Sequence, residues 1–217
     1  GMRGSASITA QVLQTLARLN VMAGYQKATA KMIENGMDYL RTVVMKEFEE
    51  MKRMEKKGQK PMICDYHAIQ YLYINTLLGK NPFYDSDYVE LKNYLLKYLE
   101  ADRHRDIYSK ALMAVVLNGD GKAKKAKEYV ESIRQYTVTK PGMGTYFDTW
   151  HAGYSWFDYR IPTQTAAIEV LKAVDPADTE TINQMRLWLL QSKRTQAWDT
   201  PINTVNAVYA FLDGNYK

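Results

Sequence analysis

Apolar residues recur every three or four positions along most of the chain, and this spacing limits the fold more than any other feature of the sequence. One such stripe runs through Met37, Leu40, Val44 and Phe48. Residues three and four apart share one face of an α-helix, whereas a half-buried strand needs strict alternation. Such alternation, bounded by hairpin turns, is hard to find, so the spacing predicts an all-α fold.

Gly and Pro residues gather between the periodic stretches. Their clusters lie at residues 58–61, 79–82, 118–121, 141–144 and 175–176. Because both residue types interrupt helices, these clusters predict the connections between one helix and the next. Asp178 and Thr179 add the start of a further helix, which continues through the apolar run 182–190.

A faint internal repeat is also present, in which apolar helices alternate with more charged ones. The apolar helices open near Thr9, Tyr66, Ser109, Thr165 and Thr204. Amphipathic helices are predicted between them at 27–54, 88–99, 122–133 and 181–190. Alternation of this kind suits an inner row of helices covered on nearly all sides and an outer row with one wet face. The spacing alone allows both a closed ring and an open solenoid.

Composition and charge are those of an ordinary soluble domain. The 217 residues are 46% hydrophobic and 24% charged, so one domain over residues 1–217 is the simplest arrangement. Lys and Arg number 29 against 24 Asp and Glu, but the bases are dispersed and often sit beside acids, as in Lys46 and Glu47. We therefore predict no nucleic-acid partner, because phosphate binding needs bases clustered on one face.

Membrane segments and disulfides are not expected either. No apolar run approaches the roughly 20 residues that span a bilayer. Residues 1–5 lead into a helical pattern rather than into an apolar stretch with a cleavage site, which predicts no signal peptide within the chain. Cys64 is the single cysteine, so an intramolecular disulfide and a zinc site built on several thiolates are excluded.

The densest cluster of unusual side chains lies between residues 145 and 160. Six of them form a candidate pocket: Tyr146, Trp150, His151, Tyr154, Trp156 and Asp158. Their rings are suited to stack on a sugar or peptide, with Asp148 or Asp158 as an acid or base. Large rings also anchor a long connection to a helical body, and this structural role is favoured. A loop sequence cannot show the separation of two acids that glycoside hydrolysis requires.

The histidines and the cysteine form no catalytic or metal-binding motif. His67, His104 and His151 do not pair at helical spacing, and none belongs to a zinc signature. His104 lies between Asp102 and Asp106 in a polar helix start, whose acids are expected to satisfy the unpaired amides of the helix. Cys64 is interpreted as a small buried hydrophobe rather than a nucleophile, since neighbours on a helix point in different directions. We therefore expect no cofactor, no metal and no enzyme activity.

Six pieces of the C-terminal half form a recognisable series. In chain order they are residues 106–112, the turn 119–121, the segment 163–167, the arginine-containing Trp-Leu helix 186–194, the Trp turn 198–200 and the helix 203–212. This series resembles the helical thioester domain of alpha-2-macroglobulins and complement proteins. Their order and spacing agree with the family over about half of the chain, and the N-terminal half agrees mainly in helical texture. Thr163 and Gln164 stand where an acid is common, and Pro201 begins a run that replaces the usual Ser-Thr-Gln-Asp. The match is therefore to a divergent bacterial branch.

The resemblance implies an α/α toroid, here an incomplete ring of helical hairpins. The family's thioester joins a cysteine to a glutamine three residues later, but Cys64 has His67 at that position and no amide to close the ring. The chain is thus expected to be a non-catalytic domain of a bacterial protease inhibitor or trap in the periplasm or cell envelope. Its partners would be other domains of the parent chain, and proteases would be the parent's targets.

Two alternatives differ from this interpretation in kind. A glycan-active enzyme or a carbohydrate-binding module on the same toroid is suggested by the aromatic cluster, because fold alone does not determine function. A helical-repeat interaction scaffold would instead expose a contiguous apolar or aromatic face and contain no pocket.

Overall fold

Helices make up most of the chain wherever its structure is described. A computed structural model describes residues 5–60, 65–100, 106–147, 156–194 and 200–212. Within these ranges the helices are α1 (Ala6–Ala23), α2 (Lys27–Lys56), α3 (Asp65–Leu78), α4 (Ser86–Glu100), α5 (Ile107–Gly119), α6 (Ala123–Arg134), α7 (Trp156–Val174), α8 (Thr179–Arg194) and α9 (Pro201–Phe211). A single antiparallel pair, β1 (Thr137–Lys140) and β2 (Gly144–Phe147), completes the described elements. The all-α prediction is confirmed.

Each helix predicted from apolar spacing is present. The four amphipathic predictions correspond to α2, α4, α6 and α8, and the five apolar ones correspond to α1, α3, α5, α7 and α9. The largest difference is in α7, which begins at Trp156 rather than near Thr165. This helix therefore includes the end of the aromatic cluster that the sequence assigned to a loop.

The described helices differ in how many of their faces are buried. Unbroken buried runs occupy 68–75 in α3, 107–117 in α5 and 161–168 in α7. In α2 and α6 the buried residues return every three to four positions instead: Met37, Leu40, Val44, Phe48 and Met51, then Ala126, Val130 and Ile133. The predicted alternation of fully covered and one-faced helices is confirmed for these elements. The toroid itself stays a prediction.

The chain divides into two compact units, Gly1–Arg103 and His104–Lys217. In the first unit, α1 packs against both α2 and α3. Side chains connect α4 to this group, because Arg41 on α2 donates to Asp85 at 2.9 and 3.2 Å and the rings of Phe48 and Tyr94 meet edge to face at 5.1 Å. Burial opposes ionisation of Asp85, but the amide of Tyr88 and the charge of Arg41 outweigh it and lower its pKa.

In the second unit, α5 packs against α6 and α7, and α7 also packs against α8 and α9. Asp106, one of the two acids expected at this helix start, caps α5, since its carboxylate accepts a hydrogen bond from the Ser109 amide at 2.7 Å. Asp178 caps α8 in the same way through the Thr181 amide at 3.2 Å. The prediction of one domain over residues 1–217 stays a prediction.

The connection after α6 contradicts the sequence interpretation. The cluster at 141–144 predicts a direct connection between two helices, and no strand is predicted, but residues 141–143 form the turn of the β1–β2 hairpin and Gly144 begins β2. Val138 lies opposite Tyr146, and Thr139 lies opposite Thr145. Gly142 and Gly144 adopt φ values of +75° and +90°, which side chains with a Cβ rarely reach. Burial does not alternate along either strand, because β2 is buried throughout and three of the four β1 residues are exposed, so a search for alternation does not reveal them.

Candidate functional site

Five of the six residues in the predicted aromatic pocket have side chains that the structure does not describe. Trp150, His151 and Tyr154 lie outside the described residues altogether. Trp156 and Asp158 belong to the first turn of α7 through their backbone, but their side chains are not described. The pocket as a whole therefore stays a prediction.

Tyr146, the sixth residue, packs the hairpin against α8. Its side chain is only 9% exposed, and its ring is stacked on that of Trp188 with centroids 6.2 Å apart and planes 17° from parallel. Each ring also carries a cation: Lys140 Nζ lies 5.9 Å from the Tyr146 centroid, and Arg160 Cζ lies 5.9 Å from the Trp188 centroid. Stacked aromatic and cation–π contacts together fix the position of β2 on the helix.

The backbone of β2 approaches α8 too closely for any side chain at Gly144. A Cβ at this position would lie 2.2 Å from the Gln184 carbonyl oxygen and 2.8 Å from the Trp188 amide nitrogen. Both atoms belong to the helix backbone and cannot move aside. Glycine at 144 is thus a requirement of the contact between the hairpin and α8, in addition to its left-handed φ.

Gln164 ties three elements together from inside α7. Its side chain is fully buried, and its Nε2 donates to the Thr145 carbonyl oxygen at 2.8 Å and to the Met185 carbonyl oxygen at 3.2 Å. One amide therefore satisfies a carbonyl of β2 and a carbonyl of α8 at once. An ionised carboxylate has no hydrogen to donate, so an ionised glutamate at this position would make neither bond. At the hairpin turn, Gln191 Nε2 donates to the Gly142 carbonyl oxygen at 3.0 Å.

Arg134 connects the C-terminal end of α6 to the residues just before α8. The guanidinium, at the last residue of α6, donates to Asp175 at 2.5 Å and to Asp178, both next to the start of α8. Hydrogen bonds from Thr181 and Arg134 lower the pKa of the Asp178 carboxyl. Burial alone would lower the pKa of Arg134, but the hydrogen bond to Asp178 and the charges of Glu131 and Asp175 outweigh it and raise that pKa.

Sequence reasoning singled out Tyr146 but missed the residues that hold it in place. Trp188 appeared only as part of the Trp-Leu motif, and Gly144 appeared only as part of a connection. Gln164 was noted as a departure from a family pattern, without a role. Their functions depend on contacts between elements 19 or more residues apart, as in the bond from Gln164 to Thr145. No local pattern encodes such contacts.

The arrangement holds elements together, and we find no catalytic grouping in it. Among the described residues, no three His, Cys, Asp or Glu side chains are placed to share a metal ion. Cys64 and His104 lie outside the described residues, and His67 is half-buried on α3. In the described ranges, the length and apolar character needed to cross a bilayer do not occur together in any helix.

Comparisons of the chain with protein-family models, with curated proteins and with solved structures find no match. The resemblance to alpha-2-macroglobulins therefore depends on the motifs of this sequence alone.

Proposed function

We propose that this chain is a non-catalytic helical domain of a bacterial alpha-2-macroglobulin-like protease inhibitor of the periplasm or cell envelope. One observation carries the proposal: the residues that resemble the family lie at the joints between elements of the second unit. Arg186, from the Trp-Leu helix, donates through Nε to the Ala210 carbonyl oxygen at 2.9 Å and so joins α8 to α9. The ring of Trp188, from the same motif, is stacked on the ring of Tyr146 and so joins α8 to β2.

Among the described residues, the matching segments 163–167, 106–112 and 119–121 have comparable structural roles, whereas residues 198 and 199 of the Trp turn lie outside the described ranges. Residues 163–167 are all buried, and Gln164 among them connects α7 to β2 and α8. Residues 106–112 contain the cap and the first turns of α5, which is covered on all sides. The turn at its end contains Gly121 with a φ of +77°. The contacts made by these residues join elements of the second unit, and this supports a structural domain.

The role proposed for this domain in its parent protein is based on the contacts that join its helices. A body whose helices are joined by buried polar contacts moves as a unit, so it can transmit a displacement without unfolding. We propose that cleavage of the parent's bait segment by a protease changes the contacts that this domain makes with other domains of the parent. The α/α toroid is part of the same proposal.

The test uses the full-length parent protein. It is cross-linked through lysines before and after treatment with an active protease, and the cross-links from Lys56 and Lys124, both exposed, are identified by mass spectrometry. We expect cross-links to other domains to change on cleavage, and the protease to lose activity toward large substrates while it keeps activity toward small ones. A protease with its active site blocked is the control and should change nothing. Unchanged cross-links together with an uninhibited protease would contradict the proposal.

The glycan-binding alternative has no described contact in its favour, because the ring of Tyr146 is stacked against Trp188. It stays a prediction for the cluster's remaining side chains. Replacing Trp150 or Trp156 by alanine would abolish sugar binding without loss of helicity if this alternative were true.

A further inference from the structure

The exposed face of α6 carries its charges in a fixed order. Ala126, Val130 and Ile133 are the buried face of this helix. An open groove runs along the other side, lined by Lys124, Lys127, Glu128, Glu131, Ser132 and Gln135. The two lysines of the groove occupy its N-terminal half, and the two glutamates occupy its C-terminal half.

The stability of the helix itself does not explain this order. Lysines near a helix N-terminus and glutamates near its C-terminus oppose the helix dipole. Pairing within the helix would join Lys124 to Glu128 and Lys127 to Glu131, but lysine preceding glutamate is the weaker orientation for such pairs. Among the described residues, Glu131 pairs instead with Arg134 at 3.1 Å, and Lys124, Lys127 and Glu128 form no ion pair.

The order of lysines and glutamates along α6 is complementary to itself under a twofold rotation. An axis perpendicular to α6, placed between residues 127 and 128, would bring Lys124 opposite the partner's Glu131 and Lys127 opposite the partner's Glu128. The same axis generates both reciprocal pairs, as in any isologous dimer, so four ion pairs would form from one face.

We propose that a second copy of this chain docks antiparallel on α6 and that these reciprocal lysine and glutamate pairs set its register. The inference goes beyond the proposed function and does not depend on the identity of the parent. Exposed ion pairs are individually weak and are screened by salt, so the dimer is weak and dissociates as ionic strength rises.

The test is a reciprocal charge exchange, measured by sedimentation of the 217-residue chain over a range of concentrations. One variant combines Lys124→Glu with Lys127→Glu, and the other combines Glu128→Lys with Glu131→Lys. We expect each variant alone to raise the dissociation constant of the dimer at least about tenfold, because like charges then face each other. We expect an equimolar mixture of the two to recover a dimer, since one face is then wholly acidic and the other wholly basic.

Two controls separate register from total charge and from folding. Lys56→Glu with Lys57→Glu, at the C-terminal end of α2, makes the same change in net charge as the double lysine variant and should leave the dissociation constant unchanged. A second pair of variants, Lys127→Glu and Glu128→Lys, is measured singly and then as a mixture. This pair repeats the charge exchange and keeps the contact between Glu131 and Arg134. Circular dichroism checks that each variant is folded. A chain that stays monomeric up to about 1 mM, or a mixture that fails to dimerise, would overturn the proposal.

Discussion

Helices α5 and α6 follow each other in the chain and contain 13 and 12 residues, but they bury different parts of their surfaces. Every residue from 107 to 117 of α5 is buried. In α6 the buried residues are Ala126, Val130 and Ile133, which lie on one face. A polar residue can be tolerated almost anywhere else on α6, whereas on α5 it must find a partner inside the protein.

The polar residues of α5 meet this requirement. Ser109 Oγ donates to the Asp106 carboxylate at 3.1 Å. Lys110 Nζ donates to Ser132 Oγ at 3.0 Å and lies 5.3 Å from the centre of the Tyr136 ring. Burial lowers the pKa of Lys110, and the charge of Asp106 acts in the opposite direction. A polar side chain on α5 therefore needs a partner inside the protein, whereas one on the exposed face of α6 does not. The same substitution made in both helices measures the free energy of this difference.

The largest effect is expected for a charge placed inside α5. Ala114 is fully buried, whereas Ala123 is exposed at the first position of α6. Ala114→Asp should lower the free energy of unfolding by about 3 to 5 kcal/mol, because an unpaired carboxylate would be buried. Ala123→Asp should change it by less than about 0.5 kcal/mol. Equal losses in urea denaturation would show that the two helices do not differ as described.

A glutamine-to-glutamate pair extends the comparison to α7. Gln164→Glu keeps the size of the side chain but removes both donors to buried carbonyl oxygens, so we expect a loss of about 2 to 3 kcal/mol at neutral pH. Gln135→Glu, at an exposed position just after α6, is the matched control and should be nearly neutral. Melting temperatures of the two variants provide the check. An unchanged melting temperature for Gln164→Glu would mean that its two hydrogen bonds contribute nothing.

Arg134 is the point where the one-faced helix α6 reaches the turn before α8. Arg134→Gln should cost about 1 to 2 kcal/mol at pH 7, since its side chain and those of its two aspartate partners are all partly covered. The pKa of Asp178 is lowered in the folded state, so this contribution is present above the unfolded value of about 3.9 and is lost as pH falls through the folded pKa.

The difference in stability between the native chain and Arg134→Gln should therefore shrink as the pH is lowered below about 4. Arg53→Gln breaks a pair between Arg53 and Glu50, whose side chains are 65% and 57% exposed, and is the matched control. It should have almost no effect at any pH. A difference for Arg134→Gln that stays constant down to pH 2 would contradict the role of Asp178.

The smallest effect concerns α2, a one-faced helix of the first unit. Glu47 is half-buried, its Oε2 has no hydrogen-bond partner among the described residues, and burial raises its pKa. A raised folded pKa means that stability is lost as pH rises from about 4.3 through the folded value. Glu47→Gln should therefore raise stability at pH 7, by less than about 1 kcal/mol. Glu128→Gln on α6 is the matched control, and it should not raise the stability of the chain in dilute solution.

How much of the fold was predictable depends on the length of each pattern. The helices α5 and α6 were predictable because apolar spacing extends over three or more turns, and a capping acid at the start of α5 was predictable because that role depends on the next three residues. The hairpin was missed because burial does not alternate along either strand: β2 is buried throughout, and three of the four β1 residues are exposed. The site was found only through Tyr146. Its supports, Gly144 and Gln164, owe their roles to backbone atoms of α8 that are distant in the sequence.

The most direct test of the difference between α5 and α6 is the reactivity of single cysteines in the native chain, with Cys64 replaced by serine. Cysteines are introduced for Ala111 and Ala114 in α5, and for Ala123, Ala126 and Lys127 in α6. Thiol labelling should be slow at 111, 114 and 126, which are buried, and fast at 123 and 127, which are exposed. Fast labelling at 111 or 114 in the folded protein would contradict the all-round burial of α5, on which the account of inner and outer helices depends.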